Sequence, residues 1–161
     1  MAIKARTIPP VCLGISIARL ITGRLRLSRT LKGQTLKMHD GQEYTVFRQI
    51  RLTSEMKEAS PITFIVRFKF TRLSHKANKI ASLIPMLLIT GYPGFNIKIY
   101  GVNRASGFWQ GLYQWSNPKA LEDYKQSFVY RMMNKRAIKS TISVLELENQ
   151  ALMDYLEDRK T

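Results

Sequence analysis

The sequence predicts an α+β protein running β-α-β-β-α-β, with one four-stranded antiparallel sheet and both helices on one face. Three observations carry this. From Ile62 to Thr71 a period of two holds over ten residues, with Ile62, Phe64, Val66, Phe68 and Phe70 on one side of a strand. From Tyr92 to Trp115 two strand-like runs flank a turn at Asn103-Arg104-Ala105-Ser106-Gly107. Two helical stripes fill the remaining places, one interrupted by Pro85 and one opened by Asn117-Pro118.

In chain order, Val11, Leu13, Ile17, Leu20, Ile21, Leu25 and Leu27 approximate a helical stripe over residues 10–31, with arginines between the later ones. This helix either docks on its own domain or lies on an anionic membrane surface. It is too short and too interrupted to span a bilayer, and lacks a clean small-residue cleavage site, so a retained helix is expected. Residues 34–52 read as a β-hairpin turning at Asp40-Gly41. Residues 54–60 are polar and read as a linker. After the first strand of the core, Leu73, Ala77, Ile80, Ala81 and Ile84 predict a helix from about Ser74 that Pro85 kinks or ends. Asn117 caps the next helix, with Pro118 at a position whose amide needs no intrahelical partner. Its buried stripe is Leu121, Tyr124, Phe128 and Met132. Residues 141–147 form the last strand and 148–159 a short amphipathic helix. The division expected is an N-terminal extension over 1–60, an α+β domain over 61–147 and a C-terminal helix over 148–161.

Charge is the strongest compositional signal. The 161 residues carry 26 basic and 11 acidic side chains, a net charge of +15, and the excess is uneven. No acid precedes Asp40, and none lies between Ala59 and Leu121. Such a surface attracts polyanions: nucleic acid, anionic lipid or an acidic partner. No base-reading module is recognisable, so specific nucleic-acid binding is not expected. Cys12 is the only cysteine, which excludes an internal disulfide and a multi-cysteine zinc site within one chain. The expected compartment is the cytoplasm, peripheral to the membrane if the helix lies on lipid.

Gly91-Tyr92-Pro93-Gly94-Phe95, the aromatic run from Gly107 to Trp115 and the Asn117-Pro118 helix start together resemble the ferredoxin-like unit of the dimeric α+β-barrel superfamily. More closely they resemble its antibiotic-biosynthesis-type monooxygenases and their uncharacterised relatives, over just over half of the chain. That resemblance implies a homodimer with two sheets facing each other. It also implies a pocket between sheet and helices or at the barrel mouth. Several members oxidise polycyclic phenols with oxygen and no metal or flavin; others degrade haem. The haem-degrading members use an Asn on the first strand, and Ile62–Phe70 contains none. No cofactor or metal is therefore expected, and His75 and His39 read as polar surface.

Trp109, Tyr113 and Trp115 share one face of the third core strand with Gly107 and Gly111, and are the candidate catalytic residues. Alternating small and large residues can leave room for a flat ligand, although the same rings fill a core well. Arg67 and Lys69 on the first strand, with Asn96 and Tyr100 on the second, are the candidate ligand-binding residues, and Lys98 lies on the same face of the second strand as Asn96 and Tyr100. Were those strands neighbours, they would form a basic wall able to hold a phenolate or enolate. Two functions follow. The first is binding of a small hydrophobic or aromatic molecule, extended to its cofactor-free oxidation. The second is a non-catalytic basic accessory subunit docking on a membrane surface or larger complex.

Overall fold

The structure is a computed structural model that describes residues 7–53, 60–71 and 74–160. It contains helix α1 (Pro9–Ile21), strands β1 (Leu25–Ser28), β2 (Thr35–Lys37), β3 (Glu43–Leu52) and β4 (Ile62–Phe68), then helices α2 (His75–Ala81) and α3 (Leu83–Ile89). Strands β5 (Phe95–Asn103) and β6 (Phe108–Trp115) follow, then α4 (Pro118–Lys125), α5 (Phe128–Arg136), β7 (Ser143–Glu148) and α6 (Leu152–Leu156).

All seven strands join one sheet in the order β1-β3-β5-β6-β4-β7, with β2 also paired to β3, and every pairing is antiparallel. Within it, β7-β4-β6-β5 is the ferredoxin-like order expected for a β-α-β-β-α-β chain. The N-terminal hairpin extends the same sheet by pairing β3 with β5. Residues 54–59, the greater part of the expected linker, lie outside the described residues.

Helices α2–α3 and α4–α5 cover one face. There Phe64, Tyr113, Trp115, Tyr92, Leu121 and Tyr124 form the larger core. On the other face Leu152 and Leu156 of α6, with Leu31, Leu36 and Met38, close over Ile65, Ile99 and Leu112. The sheet is thus buried on both sides within one chain.

Several elements differ from the sequence expectation, each for a local reason. The first helix stops at Ile21 rather than continuing to residue 31. Thr22 caps it, Gly23 adopts φ +69°, and Leu25–Ser28 becomes strand. Pro85 neither ends nor kinks a single helix. It sits in the first turn of α3, where its missing amide costs nothing, and its ring disfavours a continuous helix four residues back, so the chain breaks at Ser82. The helix after Pro118 is likewise two, because Ser127 accepts from the Tyr130 amide and starts α5 afresh. The Asn117 cap forms as read, accepting from the Ala120 amide. A 3-10 turn over Lys139–Thr141 delays β7, and the tail helix is reduced to Leu152–Leu156 with a following 3-10 turn.

Candidate functional site

On the helix-covered face, β5 places Lys98 opposite Tyr113 and Tyr100 opposite Gly111. Strand β3 places Arg48 opposite Tyr100. The Lys98 side chain is buried, at 1% exposure. Its ammonium lies 4.3 Å from the Tyr100 ring centroid and 4.5 Å from that of Tyr113. Among the described residues no carboxylate pairs with it. Burial, with a smaller contribution from the Arg48 charge, pushes the amine down from 10.5 to about 7.

Arg48 is held from the far side, donating to Ser82 Oγ at 2.8 Å and to the Lys79 carbonyl at 3.0 Å. Its guanidinium also sits 5.3 Å from the Tyr100 ring centroid. The Tyr100 hydroxyl is buried, makes no hydrogen bond of full geometry, and has the Arg48 guanidinium as its polar neighbour. Burial raises its pKa well above the ordinary value, and burial likewise raises Tyr113 and Tyr124.

These groups adjoin a cavity of about 20 Å3. Lys98, Tyr100, Tyr113, Trp109 and Gly111 line its sheet side; Phe47, Phe68, Phe70, Ser82 and Met133 complete it. That volume holds roughly one water molecule. The cover over Trp109 is thin: the His75 ring stacks on it at 5.4 Å and 24°, and α2 adds only Asn78 to the buried residues. A second hollow, about 320 Å3 between the β2–β3 turn and the C-terminal turn, is lined by Lys37, Met38, His39, Gly41, Asp158 and Arg159. It lies at the surface, with Nε of Arg159 buried on its wall.

The predicted site residues divide between the two faces. Trp109 and Tyr113 reach the cavity, while Trp115 stacks on Tyr124 at 4.8 Å and does not line it. The space above Gly111 is filled by the Tyr113 ring: a Cβ there would lie 2.8 Å from Tyr113 Cε2. The gap read from the small-large alternation therefore seats a neighbouring ring. Gly107 lies in the β5–β6 turn at φ +76°.

Arg67, Lys69, Asn96 and Tyr100 do not form one wall, because β6 lies between β4 and β5. Arg67 points to the α6-covered face, where it pairs with Asp40 and sits 5.3 Å from the Tyr44 ring centroid. Lys69 lies 4.8 Å from the Phe108 ring centroid. Tyr100 is on the opposite face. Asn96 falls at the β-bulge between Phe95 and Ile97, where the alternation of β5 shifts.

Arg48 is the residue that sequence reasoning did not place in the site, and Lys98, read as part of an open basic wall, is instead buried. Alternation in Phe95–Tyr100 looks like a strand with one wet face. The signal against that lay in the C-terminal helix, whose apolar residues need a sheet face to cover. With both faces covered, a lysine in the central part of β5 must be buried.

No known protein family and no curated protein matches the chain. Its fold is similar to that of an anthrone oxidase-like protein, at 16% identity and a TM-score of 0.42 over 66% of this chain and 52% of that one. It is also similar to a candidate monooxygenase of Fusobacterium nucleatum, at 12% identity and a TM-score of 0.44 over 66% and 48%. A candidate monooxygenase of Lactobacillus acidophilus gives 13% identity and a TM-score of 0.41 over 73% and 49%. The chain thus spans about half the length of these solved structures. Among the described residues, no group of three or more His, Cys, Asp or Glu could hold a metal ion. Among the same described residues, no helix is long and apolar enough to cross a membrane.

Proposed function

We propose that the cavity beside Lys98 binds a small apolar molecule carrying an acidic hydroxyl or an enolisable CH2, and promotes its oxidation by dioxygen. The observation that supports this is the buried amine itself. A lysine without an anionic partner, over two tyrosine rings and with a pKa of about 7, costs stability and is suited to taking a proton.

In this reading the neutral Nζ of Lys98 removes a proton from the substrate, and the resulting anion is held against the ammonium so formed. Arg48 and the buried Tyr100 hydroxyl beside it supply further positive charge and a donor at the same wall. For a CH2 flanked by aromatic rings, the carbanion's electron pair goes to dioxygen. One oxygen atom becomes the product carbonyl. The other leaves as water, taking the proton held by Lys98 and the second hydrogen of the carbon. A ligand larger than one water requires α2 to swing away from Trp109. The homodimer implied by the family resemblance is part of the same proposal, but through a contact other than two facing sheets, since α6 covers the sheet face that a second sheet would meet.

Binding is tested with 1-naphthol at pH 7, where the free compound is neutral. The expected result is a naphtholate absorption band on binding to the wild-type protein and no band with Lys98→Met. Binding that is equal in both proteins overturns the assignment of Lys98. With an enolisable polycyclic ketone, an oxygen electrode should record one dioxygen consumed per carbonyl formed.

A further inference from the structure

Helix α1 is oriented opposite to an ordinary amphipathic surface helix. The residues it turns inward are small or polar: Cys12 and Ser16 are fully buried. Ser16 Oγ donates to the Leu87 carbonyl at 2.5 Å and bonds Thr90 Oγ1 at 2.8 Å, and Arg19 donates to the Thr90 carbonyl. The approach is close, since a Cβ on Gly91 would lie 1.9 Å from the Cys12 carbonyl oxygen. What α1 turns outward is apolar: Val11, Leu13, Ile17 and Leu20 are between 37% and 45% exposed, and Ile21 is 81% exposed.

The pairs 12/91 and 16/87 set α1 antiparallel to α3, and one further turn of that register brings Leu20 level with Leu83. There the apolar surface continues onto Ile80, Leu83 and Ile84, all exposed. With Ile8 and Leu27, this layer holds ten of the thirteen large hydrophobics exposed among the described residues. Such concentration marks a contact surface rather than scattered surface residues.

The charges around it decide what kind. α1, β1, α2 and α3 contain no acidic residue, while Arg24, Arg26 and Lys76 lie exposed on or beside them. A second copy meeting this face would set these cations against themselves without a counter-charge. We infer that the outward face of α1, continued by α2–α3, docks on an anionic lipid surface. Ile17, Leu20, Ile21 and Ile84 would enter the acyl boundary while the flanking basic side chains reach the headgroups.

The test is co-sedimentation with phosphatidylcholine vesicles, with and without about one-third phosphatidylglycerol, near 0.15 M salt where the screening length is about 8 Å. Wild-type protein should partition at least tenfold more onto the anionic vesicles. The double variant Ile17→Asp/Ile21→Asp, altered only at exposed positions, should keep its circular dichroism and lose that binding. Arg24→Glu should weaken it, and Ile21→Trp should shift its emission to the blue on anionic vesicles. Absence of binding by the wild type overturns the inference, as does undiminished binding by the double variant. So does a dimer that the double variant dissociates, or capture of an acidic peptide that depends on Ile17. None of these readouts involves Lys98, so the site on the sheet stands or falls separately.

Discussion

Replacing Lys98 with Met should stabilise the protein, and the gain should depend on pH in a way that identifies its cause. The amine falls from 10.5 when free to about 7 when folded, a difference worth ~5 kcal/mol. The two tyrosine faces return part of this, each ~0.5–2 kcal/mol. Met fills nearly the same volume without a charge. Taking ~1 kcal/mol for each ring, the net gain at and below pH 7 is roughly 3 kcal/mol. The sign with pH follows from proton counting. Below pH 7 Lys98 is protonated in both states, and its full cost is present. From pH 7 up to 10.5 the folded state has released the proton and the unfolded state has kept it, so wild-type stability rises with pH. The slope is ~1.4 kcal/mol per pH unit, giving ~3 kcal/mol between pH 7 and about 9.5. Higher pH is avoided because Tyr100, Tyr113 and Tyr124 are shifted up, so their ionisation in the unfolded chain erodes stability above pH 10. Urea unfolding at pH 6, 7.5 and 9 measures this directly. The wild-type curve should climb toward that of the variant as pH rises. Parallel pH profiles, or a variant less stable than the wild type at pH 6, refute the buried-cation reasoning.

Gly111→Ala should cost about 1–3 kcal/mol by denaturant titration, because its Cβ would collide with the Tyr113 ring, and the same change should cost less when made in a Tyr113→Ala background. Gly91→Ala should loosen α1 specifically. The Cys12 thiol, buried and raised in pKa by that burial, should be nearly inert to a disulfide reagent in the wild type and react at least tenfold faster in the variant. Asp40→Asn should change stability by no more than about 1 kcal/mol, since its pair with Arg67 is partly solvated, and a larger loss by thermal unfolding would give that pair a structural weight its exposure does not suggest. Once a substrate is in hand, Trp109→Phe and Tyr113→Phe should lower turnover more than stability; unchanged turnover in both would leave those rings as packing only.

The ferredoxin-like core was legible because its determinants are local. Alternation in Ile62–Phe70, the turn after Asn103 and the Asn117-Pro118 cap each act within a few residues, and each corresponds to a paired strand, a hairpin or a capped helix. What was not legible depended on distant partners. Strand order decides whether Arg67 and Tyr100 can share a wall, and β6 between their strands separates them. Similarly, Leu25 and Leu27 fit a helical stripe as well as a strand until β3 offers an edge for residues 25–28 to pair with. The role of Lys98 needed both facts at once: a covered far face and Tyr113 opposite it across the ladder. Its own neighbours in sequence carry neither, although Tyr100 lies two residues along the same strand.

The same dependence on partners explains α1. Read alone, its apolar row predicts the buried side, because in an isolated domain the core is the only apolar environment. Here α3 supplies carbonyls and a hydroxyl at Leu87 and Thr90 and a glycine at residue 91, a surface matched to Ser16 and Cys12 rather than to isoleucine. The polar side of the helix is therefore consumed by the fold, and the apolar side is left facing outward beside cations that have no acids near them in sequence. Removing residues 1–31 would be a poor probe of this arrangement, since it would also delete β1 and the buried Cys12, Leu25 and Leu31. Point changes at Ile17 and Ile21 leave the inward contacts intact, so loss of vesicle binding with retained unfolding midpoint would separate the outward function of α1 from its packing.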